Sequence, residues 1–142
     1  MRTRTSTWFE CKIRYDKMME DGMQKKITEL YVVDALSFTE AESSIIDEMS
    51  AYISGEFEVR DIKKAPYGEI FFSEDASADR FFKAKLQFIT IDEKTEKEKR
   101  SNVNYLVHAN TFNQAVANID KVMGTTASDY VIASVAETQI MD

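Results

Sequence analysis

Two stretches of this sequence say nearly the same thing. Set against each other at an offset of 74, residues 31–49 and 105–123 agree at seven of nineteen positions: Tyr31/Tyr105, Val33/Val107, Ala35/Ala109, Phe38/Phe112, Ala41/Ala115, Ile45/Ile119 and Met49/Met123. The agreement is spaced as a strand face and then a helix face, so each copy must build the same supersecondary unit. The expected fold is therefore α+β, an internal duplication of a β-β-α-β(-β) unit. It should have antiparallel sheet or sheets, two amphipathic helices and a pseudo-two-fold axis.

The rest of each copy follows. Residues 8–15 (WFECKIRY) and 81–88 (FFKAKLQF) match at an offset of 73 and alternate cleanly, which predicts a strand in each. Phe9, Cys11, Ile13 and Tyr15 in one copy, and Phe82, Ala84, Leu86 and Phe88 in the other, point to a core. Polar connections at 16–24, with Gly22 as turn residue, and at 92–102, where charges of both signs alternate, read as solvated hairpin loops. Second strands at about 25–35 and 102–109 pair with the first. The period then changes to 3.6, and Ser37-x-x-Glu40 and Thr111-x-x-Gln114 each fit a capping box at the start of a helix. Gly55 and Gly124 are the candidate exit residues, Gly124 in a left-handed cap. Third strands at 56–64 and 129–137 close each unit, with short fourth strands at 69–72 and 139–141. Residues 73–79 (SEDASAD) are too short to separate independent domains. The whole, 1–142, is expected to be a single domain of two repeats, about 7–73 and 80–142, because about 65 residues alone make a thin core.

Composition narrows the function only by exclusion. With 44% hydrophobic residues, four Gly and one Pro in 142, the chain is neither disordered nor of low complexity. No apolar run approaches a membrane span, and residues 1–7 do not lead into a secretory signal. A cytoplasmic location without membrane partners is expected. One Cys and one His cannot supply a zinc site, and Glu74, Asp75 and Asp79 lack calcium-loop spacing, so no metal is expected. There is no phosphate-cradling glycine loop or nucleophile elbow, and no cofactor is expected. Cys11 reads as a buried small hydrophobe. His108, standing where the first copy has Asp34, reads as a solvent-facing residue at a strand end. The chain is read as not an enzyme.

One arrangement recurs that core packing does not require. On the non-core side of the first strands, Trp8 stands with Lys12 and Arg14, and Phe81 with Lys83 and Lys85. Thr28, Asn102 and Asn104 of the second strands share that side. Rings beside cations on a sheet face can hold single-stranded DNA or RNA, with the rings stacking on bases and the cations meeting phosphates. The net charge of −7 weighs against a generally basic binder. The leading expectation is thus a non-enzymatic binding module for single-stranded nucleic acid through Trp8, Lys12, Arg14, Phe81, Lys83 and Lys85. The alternative is a homo-oligomeric structural or protein-interaction domain that buries the same face against another copy, since aromatic residues and Arg are also enriched in interfaces.

The blocks at 8–15, 31–38, 54–61 (SGEFEVRD), 70–75 (IFFSED) and 129–142 (DYVIASVAETQIMD) together resemble a small bacterial family defined as a domain of unknown function, of the DUF4494 kind. The resemblance covers almost the whole chain. It implies a similar size and carries no assigned reaction, so it brings no functional residues with it.

Overall fold

The computed structural model describes residues 1–126 and 128–142. In chain order its elements are β1 (Arg2–Thr5), β2 (Trp8–Met18), β3 (Gln24–Asp34), α1 (Phe38–Tyr52), β4 (Phe57–Lys64), β5 (Glu69–Phe72), β6 (Arg80–Ile91), β7 (Glu98–Ala109), α2 (Phe112–Met123) and β8 (Asp129–Glu137). The class is α+β, with eight strands and two helices among the described residues. The strands form two sheets, ordered β3-β2-β4 and β1-β5-β7-β6-β8. The chain divides into two compact units. One holds Ser6–Ala65 and Gln139–Asp142, the other Met1–Thr5 and Pro66–Thr138.

In the first of these units β2 is central, antiparallel to both β3 and β4. Its inward residues Phe9, Cys11, Ile13 and Tyr15 pack with Val33 and with Ala41, Ile45 and Met49 of α1. In the second unit Phe82, Ala84 and Leu86 of β6 pack with Val107 of β7 and with Ala115, Ile119 and Met123 of α2. Each helix begins where its hydroxyl cap stands. Ser37 Oγ accepts from Glu40 N–H at 3.1 Å and Thr111 Oγ1 from Gln114 N–H at 3.1 Å, satisfying N–H groups that a helix start leaves open. In α1 the Glu40 carboxylate also accepts from Leu36 N–H at 3.2 Å.

Several expectations change. The second sheet is mixed, because β5 runs parallel to β7, with Ile70 opposite Leu106. The short fourth strand at 69–72 thus adds to the sheet of β6 and β7. The 139–141 segment lies beside β3, where Ile140 bridges Leu30 in parallel and Met141 N–H donates to Leu30 O at 2.7 Å. β1 was not anticipated; it is an edge strand held by backbone pairing to β5, which needs no apolar side chains. Both hairpins also run further than the apolar pattern: β2 to Met18, and β7 from Glu98, so only the tips are loops. Gly22, at φ 82, makes the first tip, and Asp92 organises the second by accepting from Lys94 N–H at 2.9 Å. Gly124 is not a left-handed cap. It stays right-handed, at φ −64 and ψ −15, and α1 ends at Ile53 rather than Gly55.

Candidate functional site

The face of β2 away from α1 carries Trp8, Glu10, Lys12 and Arg14, and the register places each. Lys12 lies between Leu30 of β3 and Asp61 of β4, and Arg14 between Thr28 and Glu58. Between these two rows β4 has one residue too many. Val59 pairs with Ile13 and Asp61 with Lys12, which leaves Arg60 in a β-bulge. A bulge re-aims side chains and increases the local twist. Here it adds a third cation. Lys12, Arg14 and Arg60, with Thr28, Glu29, Leu30 and Gln139, line one cleft of about 370 Å³. Gln139 arrives because the chain end is tied along β3 by the Leu30–Ile140 bridge.

The cleft is cationic but not isolated from acids. Arg60 Nη1 lies 3.1 Å from Glu58 Oε1, and Asp61 stands opposite Lys12. Its side chains offer guanidinium forks, an ammonium, a hydroxyl and an amide. Arg forks match phosphate or carboxylate oxygens in two-point contacts, and the amide can pair with a base edge or a sugar hydroxyl. Arg60 and Gln139 were missed from sequence, since a bulge and a returning chain end show only in the register.

The aromatic half of the expected platform sits elsewhere. Trp8 is 4% exposed and Phe81 8% exposed, both within one chain. A base cannot reach either ring without opening the fold, so the stacking role expected of Trp8 and Phe81 has no surface to act from. Phe81 instead stacks on His108, with ring centroids 4.9 Å apart and an interplanar angle of 29°. His108 is therefore buried, contrary to the solvent-facing position expected for it. Phe72 meets the His108 ring edge-on at 6.4 Å, and Arg2 sits over Phe72 at 5.0 Å.

Lys83 Nζ sits 5.8 Å from the ring centroid of buried Tyr67. Lys85 is exposed between Asn104 and Ser134. Lys12 and Arg14 thus share a cleft, while in β6 Lys83 stands opposite Leu106 and Ala136.

A second polar cluster lies on the helix side of β2 and β3. Buried Glu29 accepts from the Tyr31 hydroxyl at 2.9 Å, and burial together with hydrogen bonding to Glu29 raises both Tyr15 and Tyr31 well above the usual phenol range. Their hydroxyls stay protonated donors. Buried Cys11, beside them in the core, is pushed up to about 11 by desolvation and by the Glu48 and Asp61 carboxylates, so it holds its proton near neutrality. Among the described residues no three His, Cys, Asp or Glu side chains stand together as metal ligands. No helix among them is long and apolar enough to cross a membrane.

Residues 7–142 match the model of the family described as Domain of unknown function (DUF4494), and the chain belongs to that family. No curated protein and no solved structure matches the chain.

Proposed function

We propose that this member of the DUF4494 family is a non-enzymatic, cytoplasmic binding module that takes single-stranded nucleic acid by its phosphates at the cleft of Lys12, Arg14 and Arg60. The observation that carries the reading is the convergence of those three cations, with Thr28 and Gln139, around one cleft of about 370 Å³. Stacking plays no part in it. In a chain of net charge −7 the attraction is local, so affinity is modest and falls steeply with salt.

The reading includes an origin by duplication in one pseudo-symmetric domain. Two observations support it beyond the matched caps. The orders β3-β2-β4 and β7-β6-β8 correspond, and the bulge recurs at the same place, after Lys12 in one copy and after Lys85 in the other. Arg60 is the extra residue in the first and Ala133 in the second, so only the first copy gains a cation there. On this reading the copies have diverged, and the ligand belongs to one of them. The rival reading, self-association through the face of Trp8 and Phe81, loses its anchors because both rings are already buried within a single chain.

Fluorescence anisotropy of a labelled oligothymidylate tests the proposal. Three phosphate contacts on a single strand give a slope of about −2 in log K against log salt, and unlabelled duplex as competitor separates strand preference from general phosphate binding. No binding at low salt, or binding indifferent to Arg14→Glu, would overturn it.

A further inference from the structure

β4 is the outer strand of its sheet, and among the described residues no strand pairs with its free edge. Such an edge displays unpaired N–H and C=O groups and is ordinarily blunted by charges and bulges. β4 has both, but arranged as a palindrome. Outward from the bulge, Arg60 and Asp61 are flanked by Val59 and Ile62, then by Glu58 and Lys63. Turned antiparallel on itself about the Arg60–Asp61 midpoint, the strand sets cation against anion and aliphatic against aliphatic, each pair twice.

The bulge is what makes this pairing geometrically allowed. Residues that face each other across antiparallel strands must point to the same side of the sheet, and in a regular strand Glu58 and Lys63, five apart, would point to opposite sides. The extra residue restores the phase. Glu58 lies opposite Arg14 and Lys63 opposite Glu10, both on the face away from α1. Val59 lies opposite Ile13 and Ile62 opposite Cys11, both on the α1 face.

The flank is open as well. Between α1 and β4 runs a groove of about 430 Å³, lined by Phe38, Thr39 and Glu42 on the helix and by Val59, Arg60, Asp61 and Ile62 on the strand. Phe38 is 56% exposed, and exposed Ile46 follows Glu42 by one helical turn. β8, the corresponding edge of the other sheet, has no charged pair at its centre, where Ala133 and Ser134 stand. Beside it the Tyr130 hydroxyl donates to Asp120 of α2 at 2.7 Å.

We propose that the chain forms a two-fold homodimer by antiparallel pairing of its β4 edges, continuing the three strands of each copy into one six-stranded sheet. The occupant of the edge is a second copy because the charges of β4 complement β4 itself. Both α1 helices then lie on one side of that sheet and both cationic clefts on the other.

Sedimentation velocity on three samples tests this. The wild-type chain should sediment as a dimer. Arg60→Asp gathers four acids at the axis and Asp61→Arg four cations, so each variant alone should be monomeric, its dimer dissociation constant at least tenfold weaker. Mixed one to one, they should dimerise again, an outcome that misfolded variants cannot give. Amide hydrogen exchange of the wild-type chain needs no variant: the outer-edge N–H groups of β4 should gain protection as concentration rises. A wild-type monomer at high concentration, a dimer indifferent to either reversal, monomeric variants that stay apart on mixing, or a β4 edge exchanging freely at all concentrations would each overturn the proposal.

Discussion

Lys63 Nζ lies 3.7 Å from Glu10 Oε1, and the two ends of that pair live in different media: the lysine side chain is 62% exposed and the glutamate side chain 1%. A carboxylate so far from water depends on its partners, and the exposed lysine weakens the pair only through screening. Lys63→Met, which keeps the aliphatic stem, should cost about 1–3 kcal/mol of unfolding free energy, the order expected when a buried polar group loses a partner. Urea denaturation reads it. Adding Glu10→Gln should recover most of the loss, because the neutral amide no longer requires the cation. A Lys63→Met variant as stable as the parent would show that Glu10 is held by its other contacts.

Protons held in the first core make part of the fold's stability depend on alkaline pH. Cys11 sits at about 11 against an ordinary 9, and Tyr15 and Tyr31 are raised further by burial and Glu29. Each holds its proton in the folded chain at a pH where the unfolded chain has lost it. Their contribution is therefore complete below about pH 9 and is lost as pH rises, first through the thiol and then through the phenols. Between pH 9 and 11 the thiol alone should remove on the order of 2 kcal/mol. Cys11→Ala should flatten a denaturation series between about pH 9 and 10 and leave the steeper fall above it, where the tyrosines, ordinarily at 10, contribute. A stability flat from pH 8 to 11 in the parent chain would contradict this account.

What the sequence revealed followed from how locally each feature is encoded. Alternation in β2 and β6 and the hydroxyls of Ser37 and Thr111 named the core faces and helix starts, because strand period and capping are properties of a few neighbouring residues. The parallel pairing of β5 with β7 was hidden, since Glu69–Phe72 carries nothing that chooses a neighbour. Arg60 reads on paper as one more charge in an alternating strand, and only the register against Lys12 and Ile13 makes it the extra residue. Trp8 and Phe81 were placed on the correct face, yet exposure depends on what covers that face, which no period reports.

Helix ends give a sharper contrast. Ser37→Ala and Thr111→Ala each remove the acceptor for one helix-start N–H and should cost about 1 kcal/mol in thermal or urea denaturation. Gly124→Ala should also destabilise, but not through backbone angle, since its φ of −64 suits any residue. An added Cβ would stand 2.7 Å from Asp120 O, too close for contact, so the end of α2 must shift. Gly22→Ala meets no neighbour and should cost about 1 kcal/mol through its φ of 82 alone. Replacement by Asn, which tolerates that region, should be milder at Gly22 and no milder at Gly124.

Lys12 and Lys85, which the proposed duplication would make alike, differ in their surroundings. By repeat position Arg14 corresponds to Gln87 and Lys12 to Lys85, so a platform shared by both copies would make Lys12 and Lys85 equivalent. In the fold Lys12 lines a cleft with Arg14 and Arg60, while Lys85 is exposed between Asn104 and Ser134. Arg14→Glu should weaken oligothymidylate binding at low salt by at least tenfold, because it removes one phosphate contact and sets an acid in the cleft. It should also flatten the salt slope. Lys85→Glu makes the same change in net charge and should weaken binding less than threefold, with the slope unaltered. Equal losses from the two would mean that only overall charge matters and that the cleft has no particular role. Trp8 emission should stay unchanged on titration in every case, since the ring is buried whether or not the cleft is filled.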